Sequence, residues 1–139
     1  MRLSLLLAAL LLFTSTGCET ITSVTCDSYT VNVPQHYAGG TTQDGVYMSS
    51  PWNEGLLYFP GGMQYSLAHG LGSTPAWEYS YLSFQNFGAA DGGNVAQAAG
   101  NQVVILGMND QTIQLANDSC TDYWLLVTAG VGTAAPSGP

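Results

Sequence analysis

Gln102-Val103-Val104-Ile105-Leu106-Gly107-Met108-Asn109-Asp110-Gln111-Thr112-Ile113-Gln114-Leu115-Ala116 reads as two β-prone runs around a polar turn. The first run, Gln102 to Leu106, is rich in β-branched and aliphatic residues, and the second, Thr112 to Ala116, alternates apolar with polar. Gly107 to Gln111 between them supplies turn chemistry, so the stretch predicts a hairpin. The same pattern spreads outward along the chain. Tyr123 to Ala129 is a further strand, and Trp77 to Phe84 is strongly β-prone. Met63, Tyr65 and Leu67 alternate before a turn-rich corner, His69-Gly70-Leu71-Gly72-Ser73-Thr74-Pro75. Gly55 to Phe59, Val46-Tyr47-Met48 and Ser28 to Val33 complete the set, separated by Gly, Asn, Asp and Pro. Asn94 to Ala99 holds three alanines but is bracketed by Gly93 and Gly100, too short for a stable helix, and reads as loop. Many short strands and no sustained helical period predict an all-β chain: an antiparallel β-sandwich or jelly-roll-like barrel of about six to eight strands.

Composition limits what such a fold can do. The chain has 139 residues, 46% apolar and 11% aromatic, with only 7% charged; nine acids face a single base, Arg2. Nucleic-acid binding is excluded, because phosphate neutralisation needs Lys and Arg. Phosphate chemistry and docking on anionic membranes are disfavoured on the same ground. Aromatic and β-branched content supports a packed core rather than disorder.

The N-terminus carries its own signal. Met1-Arg2 and the apolar run Leu3 to Phe13 have the length of an export signal and are too short to span a bilayer. The following Thr14-Ser15-Thr16-Gly17-Cys18 resembles the lipobox of bacterial lipoproteins. The resemblance implies cleavage before Cys18, lipidation of that cysteine and a membrane anchor. Glu19 resembles the outer-membrane sorting choice of enteric bacteria, which implies a lipid anchor in the outer membrane of the cell envelope. The expected organisation is a signal peptide over 1–17, lipidated Cys18 and tether over 18–27, a β-sandwich over 28–129 and a flexible tail over 130–139. With Cys18 lipidated, Cys26 and Cys120 remain as a pair in an oxidising compartment. A bond between them closes about 95 residues, worth roughly 4–5 kcal/mol on the chain-entropy account.

A second resemblance lies further on. Met63 to Pro75 with its His-Gly-Leu-Gly-x-x-Pro phrase, Asn101 to Ile105, Thr112 to Asn117 and Asp122 to Val127 together look like a small β-sandwich module near the ends of phage tail fibres. They are also similar to the sandwich of H-type lectins. This implies a six-stranded antiparallel sandwich, often a homotrimer, that binds carbohydrate.

Motifs for catalysis are absent: there is no Gly-x-Ser-x-Gly, no His-Glu-x-x-His, no Cys-x-x-Cys and no EF-hand loop. No cofactor and no metal site is expected. Asp91-Gly92-Gly93-Asn94, Asn109-Asp110 and Asn117-Asp118 offer oxygen ligands, but such clusters are ordinarily turns. The candidate ligand-contacting residues are His69, Asp91 and Asn94, on the turn-rich loops. Trp77, Tyr79 and Tyr81 share one face of one strand, either as a stacking platform or as core; core is the expectation, with Trp77 the test case. The reading is a lipid-anchored envelope protein with a non-enzymatic binding or assembly module, carbohydrate being the leading ligand. The alternatives are a purely structural envelope or particle subunit and a hydrolase built on an unrecognised carboxylate pair.

Overall fold

The computed structural model describes residues 33–132. The strand expected over Ser28 to Val33 falls almost wholly outside that range, as do Cys18, Cys26 and the tail beyond residue 132. Among the described residues there are ten strands: β1 (Gln35–Tyr37), β2 (Thr41–Gln43), β3 (Val46–Met48), β4 (Leu57–Phe59), β5 (Gln64–Ala68), β6 (Trp77–Ser83), β7 (Ala96–Gln97), β8 (Val104–Met108), β9 (Thr112–Ala116) and β10 (Tyr123–Gly130). Among the described residues there is no α-helix, only two short 3-10 turns, Gly88–Asp91 and Gly100–Gln102.

The strands form two packed sheets. One has the order β1-β5-β9-β8; the other runs β2-β3-β10-β6-β7, with β4 also paired to β10. The sandwich expectation holds, with two refinements. The pairing is antiparallel except between β1 and β5, which run parallel. The strand count exceeds the expected range because β1, β2 and β7 are two or three residues long and largely exposed. Such pieces carry no apolar alternation to read. The segment Asn94 to Ala99, read as loop, contains β7.

Period-2 burial explains the inner strands. Tyr65 and Leu67 of β5, and Ile113 and Leu115 of β9, point into the core, while Gln64, Ser66 and Gln114 point away. β10 is buried on both faces: Tyr123, Leu125, Val127 and Ala129 meet the other sheet, and Leu126 and Thr128 on the outer side are also inaccessible. It is the central strand, with β6 along one edge and β3 then β4 along the other. Where β3 ends and β4 has not begun, Ser49 bridges the gap. Its N–H donates to Val127 O and its Oγ accepts from Val127 N–H, both at 2.9 Å. The segment between β3 and β4 is thereby free to leave the sheet as a loop, which matters for the site below.

The β8–β9 hairpin forms as expected, with β9 over the predicted residues and β8 starting two residues later. A bulge lies between Ile105 and Gly107, so Leu106 is the unpaired extra residue. Asn109 closes the turn: its Oδ1 accepts the N–H groups of Gln111 and Thr112, each at 2.8 Å.

Gly130, assigned to a frayed tail by composition, is the last residue of β10 and pairs with both Val46 and Trp77.

Candidate functional site

The aromatic stripe of β6 is not core. Antiparallel register sets Leu82 opposite Leu125, Ser80 opposite Val127 and Glu78 opposite Ala129, all on the face toward the second sheet. Trp77, Tyr79 and Tyr81 therefore lie on the outer face, opposite Gly130, Thr128 and Leu126. All three are half-buried. The expectation of core fails because the parity of β6 is set by β10, whose residues are apolar on both faces and give no local cue. The inner set accommodates Glu78 because it sits near the edge of the sandwich, where Ser80 Oγ donates to its carboxylate. Burial is the main cause that pushes the Glu78 pKa up, against the opposing hydrogen bond from Ser80.

The Trp77 indole lies against the sheet. A Cβ on Gly130 would stand 2.3 Å from the Trp77 ring, so the indole lies directly over backbone that only glycine leaves open. The Trp77 indole N–H is buried and has no hydrogen-bond partner among the described residues. Trp77 and Tyr79 have ring centroids 5.8 Å apart. At the other end of the stripe Tyr81 meets Trp52 edge-on, with centroids 4.7 Å apart and an interplanar angle of 72°. Trp52 comes from the β3–β4 loop, so the aromatic line runs from β6 onto a loop.

Beside Trp52 is a cavity of about 220 Å³ lined by Trp52, Asn53, Ala89, Gly93, Asn94 and Val95. Two loops make it. The β3–β4 loop is tied to the β6–β7 loop by Leu56 N–H donating to Asn86 O at 2.9 Å, with Leu56 buried beneath. The β6–β7 loop turns tightly through Gly88, at φ +52°, where a Cβ would meet Val95 at 2.5 Å. Asp91 completes that turn by accepting the Phe87 N–H at 3.0 Å. The cavity is thus bordered by an indole and two carboxamides, a combination that offers ring stacking and paired donors and acceptors.

Of the three candidate contact residues, Asn94 lines this cavity and Asp91 shapes its loop. His69 belongs elsewhere. It follows β5 at the opposite end of the sandwich and is 1% exposed. Its Nδ1 accepts the Leu71 N–H at 3.1 Å and its Nε2 lies 3.0 Å from Asn109 O. Thr42 Oγ1 donates to its carbonyl. The ring ties the Gly70–Pro75 corner to the β8–β9 turn. Trp52 and Asn53 were not among the candidates; the available signal was a tryptophan inside the polar turn-rich run Pro51-Trp52-Asn53-Glu54-Gly55.

In the other oxygen-rich loops, the side-chain oxygens of Asn109 and Asn117 are engaged internally. Asn117 is fully buried; its Nδ2 donates to Phe59 O and Thr121 O, and its Oδ1 accepts from Ser119 N–H and Oγ. Its Asn-x-Ser sequon is therefore closed to modification in the folded state. No group of three or more His, Cys, Asp or Glu side chains is placed to hold a metal among the described residues. No helix among them is long and apolar enough to cross a membrane. Among the described residues no disulfide is complete, and the Cys120 thiol is not free.

No family model, no curated protein and no solved structure matches this chain.

Proposed function

We propose that this chain is an exported, lipid-anchored bacterial envelope protein whose β-sandwich is a non-catalytic recognition module for carbohydrate. The observation that carries the ligand class is the outer face of the six-stranded sheet. Half-exposed Trp77, Tyr79 and Tyr81 lie there at alternate positions, continued by Trp52. Aromatic faces without neighbouring cations suit the apolar faces of sugar rings, whereas phosphate-bearing ligands need bases that the chain lacks after Arg2. The anchor rests on the lipobox-like Thr14 to Cys18. A broad glycan array probed with the protein, and with Tyr79→Ala, tests the recognition reading. Binding to a defined set of glycans, weakened by Tyr79→Ala at unchanged melting temperature, is expected. A blank array removes the recognition reading.

A second reading, a structural subunit assembling as a homotrimer, is supported by β8. This strand is at the sheet edge and exposes Ile105, Leu106 and Met108, with Leu106 at 50%. Uncovered apolar edges invite pairing. Under this reading Leu106→Lys should convert the assembly to monomer without lowering the melting temperature, as read by analytical ultracentrifugation. A wild type that is already monomeric at high concentration removes it.

A further inference from the structure

We infer that the cavity at Trp52 and the stripe along β6 form one continuous site for an uncharged glycan chain, with one sugar ring in the cavity and the following rings along Tyr81, Tyr79 and Trp77. This deepens the recognition reading above and rests on it. Continuity comes from the edge-on contact of Trp52 with Tyr81, which puts the wall of the cavity against the end of the stripe. Alternate strand residues on one face repeat at about 6.5–7 Å, so the stripe extends the site by roughly 13 Å from Tyr81 to Trp77. A single ring can therefore use only part of it.

The polar lining fixes the chemistry of the ring in the cavity. Asn53 and Asn94 each present a carbonyl oxygen and an N–H₂ group, which match hydroxyls or an acetamido group in either direction. Charge settles the rest. Glu54 follows Asn53 in one loop and Asp91 precedes Asn94 in the other, both exposed, and no Lys or Arg occurs after Arg2. A sugar bearing a carboxylate, sulfate or phosphate meets like charge here and finds no cation to pair with. The site selects neutral glycans against anionic ones of the same length.

The test uses the full-length protein in detergent and isothermal titration. The probes are linear hexaoses of glucose, mannose and N-acetylglucosamine, their monosaccharides, and hexagalacturonate. At least one neutral hexaose should bind, its monosaccharide at least roughly tenfold more weakly, and hexagalacturonate not at all. Asn94→Ala and Trp52→Ala should each weaken the hexaose roughly tenfold, while Asp110→Asn, on the distant β8–β9 turn, leaves it unchanged. Asn94 is exposed, so its variant carries the test if Trp52→Ala does not fold. Hexaose binding that survives Asn94→Ala and folded Trp52→Ala overturns the cavity, while a positive glycan array leaves recognition standing. Equal affinity for hexagalacturonate overturns the charge exclusion. Absence of binding to every hexaose overturns this site, and a blank array in addition overturns recognition itself.

Discussion

Asn117 does more structural work than any other polar side chain in the domain. Its four hydrogen bonds hold the end of β4, the start of the 117–122 connection and the approach to β10 in one place. Truncation strands two carbonyls and two donors in a buried site, so Asn117→Ala should cost about 2–3 kcal/mol in urea denaturation. Asn117→Asp should do no better, because a carboxylate has no N–H to give Phe59 O and Thr121 O. Glu78 presents the opposite situation, a side chain the fold would hold more easily uncharged. Its pKa is raised in the folded state, chiefly by burial. The folded protein thus keeps this proton to higher pH than the unfolded chain does. Stability is lost as pH rises from the unfolded glutamate value through the raised folded value, and is regained on acidification across that window. Thermal melts should show Glu78→Gln more stable than wild type at pH 7 and flatter between neutral and mildly acidic pH. A wild type that loses stability steadily from pH 7 to pH 5 would point to depressed carboxylates elsewhere.

Among the elements, those with a buried face were legible and those without one were not. β3 and β9 begin and end where apolar alternation says they should, and β5, β6 and β10 fall within a residue of it. β2 was missed although its turn was in plain view. Asp44 and Gly45 both have positive φ, 51° and 76°, the geometry of a two-residue type I′ hairpin turn. Thr41-Thr42-Gln43 is wholly exposed and polar, so the run looked like loop. Gly45→Ala forces a side chain into the left-handed region, with its Cβ 3.1 Å from Val131. It should lower the urea midpoint by the equivalent of about 1 kcal/mol, whereas Asp44→Asn should be neutral. The site was half legible for a related reason. Asn94 and Asp91 stood out as loop residues, and the β6 aromatics stood out as a stripe. Their facing outward, and their meeting with Trp52, depend on the register with β10 and on the excursion at Ser49, both set by residues distant in sequence.

At the scale of the molecule, the N-terminal segment connects the domain to its expected location. Cys18→Ser should move the protein from the detergent phase to the aqueous phase; a wild type found in water with Cys18 unmodified would end the anchor reading. Peptide mapping without reductant should link Cys120 to Cys26. The start of β1 lies at the same end of the sandwich as Cys120, since Gln35 pairs with Tyr65 while Gly61 packs on Cys120. Val33 is seven chain steps on from Cys26, a reach of up to about 24 Å of extended chain. A Cys18–Cys120 link would instead exclude lipidation. Reduction should lower the melting temperature while leaving the native fold in place. The chain thus comes into the domain beside Gln64 at one end and leaves beside Val46 at the other, after a β10 of eight residues, about 27 Å of strand. With Cys120 bonded to Cys26, a pull from the N-terminal side would pass through the disulfide into the start of β10 and run along that strand's own backbone, leaving β1 unloaded.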